Sequence, residues 1–114
     1  MKAIVIREIG GPEVLKIEER PLPQVESNEV LIQIKAFGLN RSEMFTRLGH
    51  SKGVVDFPRV LGIECVGIVK ASGSHNFVPG QQVAAIMGGL GRTFDGGYAE
   101  YALVPEEIVI PFTS

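Results

Sequence analysis

Short apolar runs, each cut off by glycine or proline, recur along the whole of this chain. The sequence holds 14 glycines and 7 prolines in 114 residues. That density favours tight turns between short strands over long helices. Residues 2–8 are β-branched and stop at Gly10-Gly11-Pro12, and residues 14–19 alternate apolar and charged side chains as a half-buried strand does. The two predict an antiparallel hairpin, which Pro21 and Pro23 then interrupt. Residues 29–38 carry the strongest strand signal, with Val30, Ile32 and Ile34 on one face and Leu31 giving the other face partial cover. Further strands are predicted over 65–71, 82–87 and 98–104, with a turn at Val78-Pro79-Gly80 and a short edge strand over 108–111 ended by its proline. One segment differs. In residues 40–49, Ser42 suits a helix cap, Glu43 suits a first turn and Gly49 suits a stop, while Met44, Phe45 and Leu48 share a face at helical spacing. Together these elements predict a mainly β, partly open barrel with one or two short helices.

The length suits a single domain, and 45% hydrophobic residues suffice for a real core. A net charge of −2 excludes the clustered basic surface of a nucleic-acid binder. Lys2, Arg7, Lys16, Arg20, Lys35, Arg41 and Arg47 are instead spread out and interleaved with glutamates. The single cysteine, Cys65, excludes an internal disulfide and any multi-cysteine zinc site. The N-terminus lacks the long apolar run of a signal peptide and no segment approaches membrane-spanning length, so a soluble, cytoplasmic protein with no membrane partner is expected. No internal repeat or low-complexity tract is present.

The most specific stretch is residues 57–83, where Phe57-Pro-Arg-Val-Leu-Gly-Ile-Glu-Cys-Val-Gly-Ile-Val leads to Phe77-Val-Pro-Gly-Gln-Gln-Val83. Three other runs accompany it: Gly10-Gly-Pro-Glu-Val-Leu15, the segment from Glu29 to Glu43, and Phe94-Asp-Gly-Gly-Tyr-Ala-Glu-Tyr101. In this order and spacing they resemble the medium-chain dehydrogenase/reductase superfamily, in its quinone-oxidoreductase-like branch. That superfamily's Gly-His-Glu reads Gly62-Ile63-Glu64 here, and its Gly-x-Cys-x-x-Asp reads Gly38-Leu39-Asn40-Arg41-Ser42-Glu43. Two ligands of the zinc-dependent branch are therefore replaced by Asn40 and Ile63. Zinc catalysis needs three protein ligands and an open position, and only Glu64 is left. The resemblance thus implies a metal-free member. A residual site from Glu64, Cys65 and His50 is the weaker alternative.

The resemblance further implies a GroES-like N-terminal catalytic domain over residues 1–114, with a Rossmann domain expected beyond it. A dinucleotide fingerprint counts only between a strand and a helix. Gly88-Gly-Leu-Gly91 follows a strand but opens no predicted helix. The implied activity is NADPH-dependent reduction of a quinone or an α,β-unsaturated carbonyl by the complete enzyme, as a homo-oligomer, with this segment inactive alone. Asn40 is the implied catalytic residue. With Arg41 it would also meet the cofactor, orienting the nicotinamide or polarising the carbonyl. Capping the helix is its plainer role, and the two are compatible. Phe45, Phe57 and Phe94 are candidate walls of the substrate cleft. Phe45 lacks the hydroxyl of the tyrosine often found near this position in related reductases. His50 could shuttle a proton or simply be exposed, and His75 sits in a polar turn. Cys65 has the pattern of a buried, inert thiol, and Tyr98 and Tyr101 that of barrel packing. The rival reading is a non-catalytic GroES-like module that binds a partner or assembles as a ring.

Overall fold

The computed structural model describes residues 1–49 and 55–112. Its first hairpin joins β1 (Lys2–Ile6) to β2 (Lys16–Glu19) in antiparallel register, with Lys2 opposite Glu19 and Val5 opposite Lys16. The connection contains a 3₁₀ turn, Pro12–Val14, whose valine is buried. On its other side β1 pairs with β4 (Arg59–Val60), a strand too short for any period to reveal.

The larger sheet has the order β7-β3-β5-β6-β8 and every pairing in it is antiparallel. Its members are β3 (Glu29–Phe37), β5 (Glu64–Ser72), β6 (Gln82–Ile86), β7 (Tyr101–Pro105) and β8 (Val109–Pro111). The central pair, β3 and β5, slips register between Leu31 and Ile32 and again between Ile34 and Ala36. Such bulges bend a strand and increase its twist, and here they curl the sheet. Residues 98–100 connect the two sheets. The Ile4 amide donates to the Tyr98 carbonyl at 2.8 Å, the Glu100 amide to Lys2 at 3.0 Å, and the Ile34 amide to Glu100 at 2.9 Å. The result is the mainly β, partly open barrel predicted, with β8 on an edge.

Two apolar clusters fill it. Val30, Ile32, Val69, Val83, Leu90 and Val104 form the centre of the first, and Val5, Ile6, Val60 and Leu61 that of the second. Burying each of these side chains contributes about 1.5–3 kcal/mol relative to exposure. Their residue types and strand alternation therefore set the fold.

The one α-helix among the described residues, α1 (Arg41–Arg47), corrects the expected cap. Ser42 does not cap it: the N-cap position belongs to Asn40 and Ser42 lies inside the first turn. The shared apolar face of this segment is turned outward. Glu43 and Thr46 are buried, while Met44, Phe45 and Leu48 are exposed. The expected strand over 98–104 begins later, at Tyr101, because residues 98–100 are occupied in bridging the two sheets.

Candidate active site

Chain leaving the end of β3 passes through Gly38 and enters α1 at Asn40. Gly38 faces the first residue of β5, and a Cβ there would coincide with the Glu64 carboxyl. Any side chain at position 38 would have to displace the Glu64 carboxyl. Asn40 has the extended backbone of an N-cap (φ −128°, ψ 155°), yet its side chain caps no helical amide. Its Nδ2 donates instead to Glu43 Oε1 at 3.4 Å, and Ser42 Oγ donates to Glu43 Oε2 at 3.3 Å.

Tyr98 completes this cluster. It is buried, its ring lies 4.8 Å from that of Phe37, and its phenol hydrogen-bonds the Glu43 carboxylate. Burial, reinforced by the Glu43 charge and that hydrogen bond, pushes the Tyr98 hydroxyl up to about 12. Sequence reasoning missed this role. The alternation of Tyr98 with small residues signals packing and carries no trace of a partner on a distant helix.

Two separate motifs meet here. Gly62, at φ +110°, lies so close to residues 97–98 that a Cβ would fall 2.8 Å from the Gly97 amide nitrogen. The Gly97 amide donates to the Gly62 carbonyl and the Tyr98 amide to that of Leu61. This backbone contact sets Ile63 and Glu64 beside the start of α1. Ser42, Ile63, Met87 and Gly88 line a cleft of ≈ 150 Å³. A groove of ≈ 300 Å³ runs past Phe37, Gly38, Glu64, Val66 and Ile86. Exposed apolar side chains flank these segments: Leu39 is 81% and Met87 62% exposed, and Met44 and Phe45 of α1 are also exposed.

The remaining sequence candidates fall as follows. Arg41 is exposed next to Asn40. Phe57 is half-buried against the second apolar cluster and Phe94 against the first. Phe94 also lines a different cleft, of ≈ 520 Å³, with Arg59, Asp95 and Tyr101. Tyr101 is half-buried in β7 and His75 is exposed in its turn. His50 lies outside the described residues. Gly88-Gly-Leu-Gly91 forms turns that open no helix, and Leu90 anchors them in the core.

No three His, Cys, Asp or Glu side chains gather to hold a metal among the described residues. Glu64 and Cys65 are successive residues of β5, so they project to opposite faces of the sheet. They do not converge on one ion. Cys65 is 2% exposed, and burial pushes its thiol up to about 11.

That shift has a sign. The unfolded thiol ionises from its ordinary value of 9.0 and the folded one only near 11, so this stabilisation is intact below pH 9 and is lost as pH rises through that window. We expect native Cys65 to resist an aromatic disulfide reagent at pH 8 and to react stoichiometrically once urea unfolds the chain. Rapid labelling of the native state at pH 8 would contradict this burial.

Residues 26–114 match the family described as the alcohol dehydrogenase GroES-like domain. The chain belongs to that family. This GroES-like domain is 36% identical over 112 residues to a quinone oxidoreductase of Sus scrofa, covering 96% of the chain and 32% of the relative. Among solved structures it is similar to an NAD-dependent alcohol dehydrogenase, with TM-score 0.88 and 32% identity over 97% of the chain and 39% of that protein. It is also similar to mycobacterial Rv1454c complexed with NADPH, with TM-score 0.85 and 31% identity over 99% of the chain and 32% of that protein. The GroES-like domain thus spans roughly a third of the length of the relatives it matches. Its relatives are oxidoreductases, and nicotinamide cofactors occur among them. No described helix is long and apolar enough to cross a membrane.

Proposed function

We propose that this chain is the substrate-side catalytic domain of a zinc-independent, NADPH-dependent oxidoreductase that reduces quinones or α,β-unsaturated carbonyls. The observation that carries the reading is that the Asn40 and Ile63 segments lie side by side, Gly38 against Glu64 and Ser42 in one cleft with Ile63. An amide and an isoleucine stand at positions where zinc catalysis calls for a thiolate and an imidazole. They supply no metal ligand, and the site is left to work through hydrogen bonding and exclusion of water.

The residues present fit a nicotinamide. Asn40 Oδ1 accepts no hydrogen bond from the described residues, so an acceptor stands open beside an apolar surface. When bound, NADPH would supply a hydride to the quinone or enone. Asn40 orients the nicotinamide carboxamide or polarises the substrate carbonyl, and exposed Arg41 contributes positive charge toward the cofactor. Phe45, together with Leu39 and Met44, walls the cleft and keeps water from it. Phe57 and Phe94 pack on the two apolar clusters and line neither this groove nor this cleft. The nucleotide itself is held mainly by a separate Rossmann domain that covers the Met44–Phe45 face, in a homo-oligomeric enzyme. Isolated, the chain is inactive.

Calorimetry on the isolated chain tests this reading. NADPH should show no sub-micromolar binding, because the described residues build no strand–turn–helix cradle for a pyrophosphate. Elemental analysis after dialysis should find no stoichiometric zinc. Tight NADPH binding, or close to one zinc per chain, would overturn it.

A further inference from the structure

Glu43 is a carboxylate only 4% exposed, yet it forms no ion pair among the described residues. Its partners are three neutral donors: the Asn40 amide, the Ser42 hydroxyl and the Tyr98 phenol. A buried charge is tolerable only when such donors surround it. The group cannot easily swing away. Tyr98 holds it from the core side, and the Tyr98 backbone is itself tied to Ile4 and Leu61.

An ionised carboxylate can only accept hydrogen bonds, whereas the two ends of an asparagine amide differ, one donating and one accepting. We propose that Glu43 is a positioning residue that fixes the flip of the Asn40 amide, holding Nδ2 on its carboxylate and leaving Oδ1 as the free acceptor for an N–H donor of the bound ligand. The carboxamide of a nicotinamide is such a donor, so the proposal rests on the reading of Asn40 given above. It also narrows that reading. A hydrogen bond to a charged acceptor polarises the amide and makes its oxygen the stronger acceptor. Asn40 is thereby suited to holding a carboxamide more than to polarising a carbonyl. A neutral glutamine at position 43 could donate as well as accept and would satisfy Asn40 in either flip.

Side-chain amide NMR of the ¹⁵N-labelled chain tests the claim without any turnover assay. Asn28 and Asn76 are exposed and serve as internal references. In the wild type one Asn40 Nδ2 proton should be shifted from theirs and exchange with solvent about tenfold more slowly, as expected of a hydrogen-bonded, partly buried group. Glu43→Gln should move both properties toward the references. Glu43→Asp, still acceptor-only, should retain part of the protection. If Glu43→Gln does not fold, Tyr98→Phe takes its place, since removing one brace should also loosen the Asn40 signal. Asn40 protons that behave like those of Asn28, or that ignore these substitutions, would overturn the proposal.

The holoenzyme separates this claim from the catalytic one. Glu43→Gln should slow turnover about tenfold in the wild-type background and add nothing once Asn40 is alanine, since residues acting through one another are not additive. Additive losses would overturn the positioning role. If Asn40→Ala alone leaves turnover intact, the catalytic reading of Asn40 falls, and the NMR result still decides what Glu43 does.

Discussion

Gly67→Ala is expected to cost the chain about 3–5 kcal/mol of stability at 25 °C. Gly67 lies in β5 between Ile34 of β3 and Val83 of β6. A Cβ there would coincide with the Gln33 carbonyl oxygen and fall 2.9 Å from Ile32 Cγ2. The first obstacle is backbone within the ladder, so no side-chain rotation relieves it. The central strand pair would have to separate beside its second register slip. Overpacking a core costs about 1–3 kcal/mol where side chains can yield, and each ladder hydrogen bond lost adds about 1 kcal/mol. A total near 3–5 kcal/mol is a large share of the roughly 5–15 kcal/mol that holds a domain folded. Gly80→Ala is the control. A Cβ at Gly80 meets nothing within 4 Å, although its φ of +92° is unfavourable to alanine. It should cost about 1–2 kcal/mol. Urea titrations followed by circular dichroism would measure both. A Gly67→Ala chain within about 1 kcal/mol of wild type would contradict the sheet geometry on which the site rests.

The barrel was legible because its strands carry their own evidence. Alternation in residues 14–19 and the Gly-Gly-Pro stop specify the β1–β2 hairpin, and the apolar faces of residues 29–37 specify the centre of the sheet. β4 was not legible, since two residues contain no period and Val60 pairs only because β1 is there to receive it. Helix α1 was legible in existence and not in orientation. The spacing of Met44, Phe45 and Leu48 says that they share a face; whether that face is covered depends on surfaces outside their own segment. The inward face carries Glu43, which is tolerated because Tyr98, far along the chain, donates to it. The same limit applies to Ser42. Its type suits a cap, but its hydroxyl is drawn to the Glu43 carboxylate. For the site, motif resemblance indicated that residues 38–43 and 62–64 belong together. Their contact through Gly38, Gly62 and Gly97 emerged only from the folded backbone.

The central claim is that Asn40 serves the reaction and not the helix. The two roles predict different losses. As a structural cap Asn40 would cost about 1 kcal/mol when replaced by alanine. Its side chain makes no capping bond but donates to buried Glu43, so Asn40→Ala should lower stability by about 1–2 kcal/mol through that lost donor. Catalytically the loss should be large. Misplacing a reactant by an ångström costs on the order of 10²-fold. Single-turnover hydride transfer from NADPH to a quinone, followed in the holoenzyme with NADPH affinity and melting temperature measured in parallel, tests the claim most directly. The account predicts a fall of roughly 10²-fold in hydride transfer, a smaller loss of NADPH affinity and only a modest fall in melting temperature. Hydride transfer at the wild-type rate would contradict it and return Asn40 to the helix end.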